Sequence, residues 1–297
     1  CSSGHGELLG ADSRSTLEAG GKRLRPMLVL LCAGERGGEA EVRSAAAIEL
    51  VHMATLVHDD VLDDAPLRRG APTVVARAGR DAAAAVGDLL FSRAFAELAG
   101  GDSGAERRVR LLACASVALA EGELAQRRDA FRTGIAAERY LERCRLKTAR
   151  LFECACVIGT DREPGDGDGE SDALTTFGGE IGLAFQLLDD VLDVAGPAER
   201  TGKARGTDLL DGTVTLPLIL AREHDPSLAD LDLRALDHAA AEAACDRIAA
   251  SGVLDEVRAD ARARVERAKR ALRTAPIDEQ QRELLTLVAD GVVERYS

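Results

Sequence analysis

Two stretches decide the fold class: VHMATLVHDDVLDD, residues 51–64, and GLAFQLLDDVLD, residues 182–193. Each carries apolar residues at helical spacing and ends in the same pentapeptide, Asp-Asp-Val-Leu-Asp, which starts at Asp59 and again at Asp189. Hydrophobic residues make up 46% of the 297-residue chain, and many of them are Ala and Leu, which favour helices. Because β-branched runs of strand length are rare, we predict an all-α fold.

The same periodicity recurs along the chain, and no change in composition separates two domains. We therefore predict a single-domain bundle of about ten helices over residues 1–297. The chain starts with Cys1 rather than Met, and we expect its N-terminus to be truncated. The Gly- and Asp-rich stretch Gly159–Asp172 predicts a surface loop. The predicted helices start near Pro26 and then cover Glu39–Asp64, 80–99, 105–132, 137–159, 172–195, 214–224, 238–251, 253–273 and 278–295.

Charge and cysteine content exclude several classes of protein. The chain has 38 basic and 51 acidic residues, a net charge of −13, which disfavours nucleic-acid binding. No apolar stretch approaches ~20 residues and no secretory signal is present, so we expect a cytoplasmic protein without an integral membrane segment. Seven cysteines without a CxxC pair indicate free thiols in a reducing compartment. Those expected in buried helical positions are Cys32, Cys114, Cys154, Cys156 and Cys245.

The repeated pentapeptide has the character of a magnesium site. Asp59 and Asp63 are four residues apart and share a helix face, while Asp60 lies about 100° round the helix. Like charges at this spacing repel, so such a helix end favours a bound cation. Mg²⁺ prefers hard carboxylate oxygens and takes one or two of them together with substrate phosphates. Two such helices facing each other would hold a small Mg²⁺ cluster with an open side for a diphosphate; the alternative is that each cluster is solvated surface.

Basic residues around the two acidic motifs are suited to phosphate. GGKRLRP, residues 20–26, places three cations in four residues where a helix starts, and a helix N-terminus favours anions. Arg68-Arg69 follow the first motif, Lys147-Thr148 lie inside an apolar helix, and Lys203 follows the second motif. Arg offers phosphate a planar fork and Lys a point charge, although ordinary surface salt bridges remain the alternative. His52 lies about two turns before Asp59, facing the same cavity or serving as a core histidine.

These segments resemble the trans-isoprenyl diphosphate synthases, most closely the medium- and long-chain members. The resemblance extends over residues 17 to 297 and implies an isoprenoid-synthase-type bundle around a deep central cavity. It also implies a homodimer that condenses isopentenyl diphosphate with an allylic prenyl diphosphate. The stretches that carry it are GGKRLRP (20–26), ELVHMATLVHDDVLDDAPLRRGAPT (49–73), VGDLLFSRAF (86–95), LKTARLF (146–152), GLAFQLLDDVLD (182–193) and GKARGTDLLDGTVTLPLI (202–219).

The resemblance implies a role for each matching residue. The Mg²⁺ ligands would be Asp59, Asp63 and Asp189, with Asp60 in support and with Asp190 and Asp193 assisting directly or through water. Three Mg²⁺ ions are expected with substrate bound, and Mn²⁺ is expected to substitute. The allylic diphosphate would be held by Arg68, Lys147, Thr148, Gln186 and Lys203. The isopentenyl diphosphate would be held by Lys22, Arg25, His52 and Arg69. Where many members of the family carry a second Lys after the GxD segment, this chain has Thr213.

Product length depends on what lines the path of the growing chain along the helix before Asp59. Val51, Ala54 and Thr55, together with Ala47, fall on one flank of that helix, and none is aromatic. Short-chain members of the family place an aromatic residue four or five positions before the first Asp. We therefore expect a product longer than fifteen carbons, of thirty to forty carbons, with twenty carbons as the alternative.

Two other functions share part of this pattern. A class I terpene cyclase would also be all-α and aspartate-rich, but cyclases guide carbocations with aromatic walls. This chain has only eight Phe and Tyr residues, has no Trp, and keeps the GGKRLRP segment for a second diphosphate. The second alternative is a catalytically inactive subunit that pairs with an active partner, and such a subunit should have lost Asp or Arg residues from the motifs. None is missing here.

Overall fold

The structure, a computed structural model, describes residues 22–68, 70–100, 103–160, 169–196 and 205–294. It divides into two compact units. The first contains residues 1–113 and 158–161, and the second contains residues 114–157 and 162–297. The prediction that residues 1–297 form a single domain stays a prediction. Among the predicted site residues, Arg69 and Lys203 lie outside the described residues.

The first unit is built from helices on either side of a small hairpin. Its helices are α1 (Leu24–Ala33), α2 (Glu39–Leu62), α3 (Val74–Ala78), α4 (Arg80–Leu98) and the first part of α5 (Ala105–Asp129), with a 3₁₀ turn at Gly34–Arg36. The hairpin pairs β1 (Leu67–Arg68) with β2 (Ala71–Pro72) in antiparallel register. Gly38 precedes α2, and its N–H donates to the Glu41 carboxylate at 2.7 Å, which satisfies a donor at the helix start.

The core of the first unit lies between α2 and α4. Met53, Ala54 and Val57 of α2 pack with Val86 and neighbouring apolar residues of α4. Ala54 has no accessible surface at all. This contact fixes the rotation of α2 about its axis and therefore the direction in which the acidic residues at its C-terminal end point.

The second unit begins within α5 and contains the remaining helices. These are α6 (Ala137–Cys144), a π turn (Arg145–Ala149), α7 (Arg150–Ile158), α8 (Glu170–Ala195), α9 (Thr207–Leu210), α10 (Leu216–His224), α11 (His238–Ala250), α12 (Val253–Thr274) and α13 (Glu279–Glu294). Two 3₁₀ turns, Pro226–Leu228 and Leu233–Ala235, connect α10 with α11.

Helix α8 is the centre of the second unit. Its buried face includes Leu174, Phe177, Ile181 and Leu187, and it packs along α12 and against the π turn. Gly182 allows the closest approach, because a Cβ there would lie 2.7 Å from the Cα of Ala149. The second acidic motif therefore sits on a helix whose position is set by tight backbone contact.

The all-α prediction is confirmed, and each long helix predicted from periodicity is present within a few residues of its expected ends. The segment 137–159 differs, since the π turn interrupts what was expected to be one continuous α-helix. The short helices α3 and α9 and the β1–β2 hairpin were not predicted. The expected loop Gly159–Asp172 ends earlier, because α8 already begins at Glu170.

The cysteines follow the prediction with one correction. Cys32, Cys154, Cys156 and Cys245 are buried, as expected, but Cys114 is exposed on α5. Its position faces outward because the buried side of α5 carries Leu112, Ala115 and Leu119 instead. In the part of the chain that the structure describes, no helix combines the length and the apolar character needed to cross a membrane.

Candidate active site

The first acidic motif closes helix α2. Asp59 and Asp60 lie in the last turn, and Asp63 follows directly as the C-terminal cap residue, its N–H donating to the Asp59 carbonyl at 2.8 Å. No basic residue is present in this last turn. The C-terminal end of a helix dipole is itself negative, so three carboxylates here add to an unfavourable field. A bound cation relieves both effects.

The three aspartates of this motif have different surroundings. Asp60 is only 4% exposed, and its carboxylate accepts a hydrogen bond of 2.7 Å from the Nε–H of Arg68 on β1. Asp59 is half-buried and Asp63 is exposed. Because the Asp60 carboxylate is directed toward Arg68, it can hold that guanidinium in place while Asp59 and Asp63 remain the outward carboxylates.

The start of α1, with the residue before it, meets α2 at two points. Arg25 Nη1 lies 3.4 Å from His52 Nε2, so the structure brings together two of the residues predicted to bind the isopentenyl diphosphate. The neighbouring Arg23 has a left-handed backbone, with φ of 49°, and pairs with the carboxylate of Glu49. The three cations of GGKRLRP therefore have different surroundings. Arg23 pairs with Glu49 on α2, Arg25 lies beside His52, and Lys22 is exposed.

Helix α4 supports the residue that precedes the first motif. Asp88 lies 3.3 Å from Nε2 of His58. Any Cβ at Gly87 would come within 2.3 Å of the same nitrogen. The Gly87-Asp88 pair of the VGDLL segment thus makes room for the His58 ring and contacts it. The sequence pattern alone did not predict a role for Gly87, Asp88 or His58.

The second acidic motif lies in the last turns of α8. Asp189 is exposed, whereas Asp190 is 3% exposed and accepts hydrogen bonds on both carboxylate oxygens. One comes from the hydroxyl of Tyr140, and the other comes from Gln186 Nε2 at 2.8 Å. Burial, followed by the charge of Asp208, raises the pKa of Asp190 well above its usual range, against the opposing effect of the two hydrogen bonds.

These contacts describe the surroundings of Asp190 in the second motif. Asp190 was expected to assist a metal directly or through water; in the structure each of its oxygens accepts a hydrogen bond from a protein donor, and its role at a metal stays a prediction. Asp193 accepts from the backbone N–H of Asp208 at 3.2 Å, near the start of α9. In this structure Asp189 is the aspartate of the motif with the most accessible side chain.

Lys147 and Thr148 lie in the π turn between α6 and α7. Lys147 Nζ is 2.5 Å from a carboxylate oxygen of Glu123 on α5, and the other oxygen of Glu123 accepts from Arg127 at 2.7 Å. Burial opposes ionisation of Glu123, but Lys147 and Arg127 outweigh it and hold the pKa of that carboxyl below its usual value. The Thr148 hydroxyl donates to Gln186 Oε1 at 2.8 Å. The structure thus brings together Thr148 and Gln186, which were both predicted for the allylic site.

The residues expected to set product length have unequal access to the surface. Val51, Ala54 and Ala47 have no accessible surface, because α2 is close-packed there. Their expected role in setting product length stays a prediction. Thr55 is half-buried, and its hydroxyl donates to the His52 carbonyl at 2.8 Å. Of the four positions, Thr55 is the one that keeps accessible surface.

Sequence reasoning missed three residues that contact the predicted site. Glu123 pairs with Lys147, Tyr140 with Asp190, and Asp208 contacts Asp193 through its backbone. Asp208 lies inside the GKARGTDLLDGT stretch already noted, and an acidic residue there is a detectable signal. For Tyr140 and Glu123 the only signal is their position on helices near Lys147, which by itself is weak.

The donor chemistry of both motifs fits Mg²⁺ bound together with a substrate. Every candidate ligand is a carboxylate, the hard oxygen donor that Mg²⁺ prefers. Among the described residues no three His, Cys, Asp or Glu side chains converge closely enough to hold an ion by themselves. Carboxylates at helix ends suit an ion that takes one or two of them and completes its shell with waters and phosphate oxygens.

An all-α fold with the same aspartate-rich motif at the ends of two helices, the first beside Arg68, is typical of enzymes that transfer groups from diphosphates. The chain belongs to the polyprenyl synthetase family, whose model matches residues 7–249. It is a prenyltransferase, a trans-prenyl diphosphate synthase, which confirms the family and the activity expected from the motifs.

Named relatives agree with this assignment. Heptaprenyl diphosphate synthase component 2 of Geobacillus stearothermophilus is 42% identical over 215 residues, 72% of this chain and 66% of the relative. Octaprenyl diphosphate synthase of Escherichia coli is 36% identical over 291 residues, 94% of this chain and 87% of the relative. A crystal structure of polyprenyl synthase from Caulobacter crescentus, complexed with calcium and isoprenyl diphosphate, matches with a TM-score of 0.90 and 36% identity, covering 98% of this chain and 90% of the other.

Proposed function

We propose that the chain catalyses Mg²⁺-dependent, head-to-tail condensation of isopentenyl diphosphate with an allylic prenyl diphosphate, giving an all-trans product of thirty to forty carbons. The observation that carries this proposal is the repeated acidic motif, in which the first Asp of each copy keeps accessible surface: Asp59 is half-buried and Asp189 is exposed. The Caulobacter enzyme, similar over nearly the whole chain, was crystallised with a divalent cation and an isoprenyl diphosphate.

The metal would be held by the outward carboxylates. Asp59, Asp63 and Asp189 supply oxygens to Mg²⁺, and Asp193 assists; three ions are proposed with substrate bound, and Mn²⁺ substitutes. When bound, Mg²⁺ neutralises charge on the diphosphate and favours its departure from the allylic carbon. Asp60 and Asp190 support these ligands. Each is buried and accepts hydrogen bonds from protein groups, which fix the position of its helix end.

The basic residues bind the two substrates. Arg68 presents its guanidinium beside the first motif, oriented by the 2.7 Å hydrogen bond to Asp60. With Lys147 and Lys203 it would hold the allylic diphosphate and stabilise the charge that develops as pyrophosphate leaves. Lys22, Arg25, His52 and Arg69 would hold the isopentenyl diphosphate, a role supported by the 3.4 Å approach of Arg25 to His52.

The proposed product length rests on α2 and on the relatives. Helix α2 carries no Phe, Tyr or Trp along its 24 residues. No such ring on this helix would therefore stop the product after three isoprene units. The relatives from Geobacillus and Escherichia are named for seven and eight units. A twenty-carbon product is the alternative.

The assembly proposed is a homodimer, and α5 supplies the supporting surface. Cys114, Val117 and Leu124 lie on α5 at spacings of three and seven residues, and Val117 and Leu124 are 60% and 56% exposed. Exposed apolar side chains grouped on one helix mark an interaction surface. Because the Geobacillus relative is named as a component 2, pairing with a different subunit is the alternative assembly.

One experiment tests activity, metal and product together. The purified chain alone is incubated with isopentenyl diphosphate and each short allylic diphosphate in turn, with Mg²⁺ and separately with excess EDTA, and products are identified by mass spectrometry. The proposal predicts linear prenyl diphosphates longer than fifteen carbons, formed only with the metal. A product that stops at fifteen carbons contradicts the proposed length, and full activity in EDTA contradicts the metal role. A cyclic hydrocarbon indicates a terpene cyclase, and activity that requires another protein indicates the two-component assembly.

A further inference from the structure

Four polar side chains form a continuous hydrogen-bonded chain inside the second unit. The Thr148 hydroxyl donates to Gln186 Oε1 at 2.8 Å, and Gln186 Nε2 donates to Asp190 Oδ1 at 2.8 Å. The Tyr140 hydroxyl donates to Asp190 Oδ2. Tyr140 and Thr148 are 1% and 6% exposed, so the two ends of this chain are as enclosed as its middle.

With Asp190 ionised, the donors and acceptors of these four side chains fit together in one direction only. Asp190 accepts on both oxygens, which requires the amide NH₂ of Gln186 to face it. The carbonyl oxygen of Gln186 then faces Thr148, whose hydroxyl must donate. Losing the Tyr140 hydroxyl leaves one buried oxygen of Asp190 without this donor. Asp190 is then held by Gln186 from one side, so its carboxylate and the groups bonded to it can shift.

The π turn places Thr148 on the same side of the helical segment as Tyr140, as these hydrogen bonds require. Tyr140 and Thr148 are eight residues apart, and eight residues of α-helix rotate by about 800°, which leaves the two side chains about 80° apart. A π turn inserts one residue into the helical repeat, so the effective separation is about seven residues, close to two full turns. Thr148 therefore returns to the face of Tyr140. On α8, Gln186 and Asp190 share a face because they are four residues apart.

We propose that Tyr140 is a positioning residue that acts through Asp190 and Gln186 to hold Lys147 and Thr148 where they meet the allylic diphosphate. Tyr140 itself is buried, and its hydroxyl donates to Asp190. The inference rests on the proposed function, because it assigns the π turn to the allylic site. It goes beyond that function by naming a residue outside the acidic and basic motifs and by giving the π turn a purpose.

The test is Tyr140→Phe, which removes one oxygen and keeps the ring that fills the core. We expect kcat/KM for the allylic substrate to fall about 10–100-fold, the range typical of residues that orient a site from behind. The KM for isopentenyl diphosphate should change less than two-fold. Peptide-level hydrogen exchange should become faster at residues 145–149. Ser44→Ala is the matched control, because it also removes a buried hydroxyl, which donates to the Ala40 carbonyl at 2.9 Å on α2; it should change none of these quantities.

A merely structural role gives a different pattern. If Tyr140→Phe lowers the melting temperature but leaves both KM values, kcat and exchange at residues 145–149 unchanged, the proposal is overturned. A double-mutant cycle with Thr148→Val adds a second criterion, since effects that simply multiply would show that the two hydroxyls are not coupled. Should the wild type fail to condense the substrates, the proposed function fails, and the hydrogen-exchange comparison still decides whether Tyr140 holds the π turn.

Discussion

Gly182 is the position where one methyl group tests how tightly the second acidic motif is held. A Cβ at Gly182 would lie 2.7 Å from the Cα of Ala149 in the π turn and 3.1 Å from its Cβ. Carbon atoms prefer separations of about 3.5–4.0 Å, so the added methyl overlaps a backbone atom by at least ~0.8 Å. Because backbone cannot rotate away, α8 and the π turn must separate. Overpacking of this kind costs about 1–3 kcal/mol.

The helix propensity of Ala partly hides this cost, and a control removes that complication. Gly182→Ala gains about 1 kcal/mol because Gly is a poor helix former. Gly291→Ala, inside α13, gains the same amount, but its Cβ meets no atom within 4 Å. The difference between the two variants therefore isolates the overlap of about 1–3 kcal/mol. In a chain of this length that corresponds to a melting temperature roughly 2–6 °C lower for Gly182→Ala than for Gly291→Ala.

Thermal unfolding of both variants beside the wild type provides the measurement, and steady-state kinetics provides a second readout. Ala149 follows Thr148 directly, so we expect Gly182→Ala to raise the KM for the allylic substrate and Gly291→Ala to leave it unchanged. If Gly182→Ala melts at or above the temperature of Gly291→Ala, the contact between α8 and the π turn is looser than 2.7 Å implies. Such a result would refute close packing of α8 against the π turn at Gly182.

Three further predictions concern the metal, the product and the assembly. Asp59→Ala should lower kcat about 10²–10³-fold without lowering the melting temperature, because it also relieves like-charge repulsion at the end of α2; undiminished turnover would exclude Asp59 as a ligand. Thr55→Phe should shorten the product by one or more isoprene units, as measured by mass spectrometry. Ala54→Phe should instead lower stability by about 1–3 kcal/mol, since Ala54 is fully buried; an unchanged product from Thr55→Phe would contradict the assignment. Val117→Glu should shift the chain from dimer to monomer in light scattering, and a dimer that persists would place the interface elsewhere.

The sequence was sufficient for the helices because their apolar periodicity is long and uninterrupted. It did not predict the π turn at Arg145–Ala149, since one inserted residue leaves a short apolar pattern nearly unchanged. Only tertiary contacts reveal why the insertion is there. The hydrogen bond from Thr148 to Gln186 spans 38 residues, and the one from Tyr140 to Asp190 spans 50. Periodicity carries no information about partners so distant in the chain.

The positions expected to line the growing product show a different limit. Small apolar residues at helical spacing, such as Val51 and Ala54, fit equally well against an open path or a neighbouring helix. In the structure α4 occupies that side, and Ala54 packs with Val86 in the core of the first unit. The helical wheel gave the correct angles, but it could not identify the neighbour. Thr55, one position round, keeps accessible surface because it is rotated away from that contact.

The two copies of Asp-Asp-Val-Leu-Asp show the same pattern of burial in their first two aspartates. In each copy the second Asp is buried and the first is more accessible: Asp60 against Asp59, and Asp190 against Asp189. Adjacent helical residues point about 100° apart, so a buried second Asp fixes the direction of the first. The partners differ, because Asp60 receives a charged donor from Arg68 and Asp190 receives neutral donors from Tyr140 and Gln186. A pair of aspartates at a helix end can therefore provide an anchor and an outward carboxylate at once, which a single aspartate could not do.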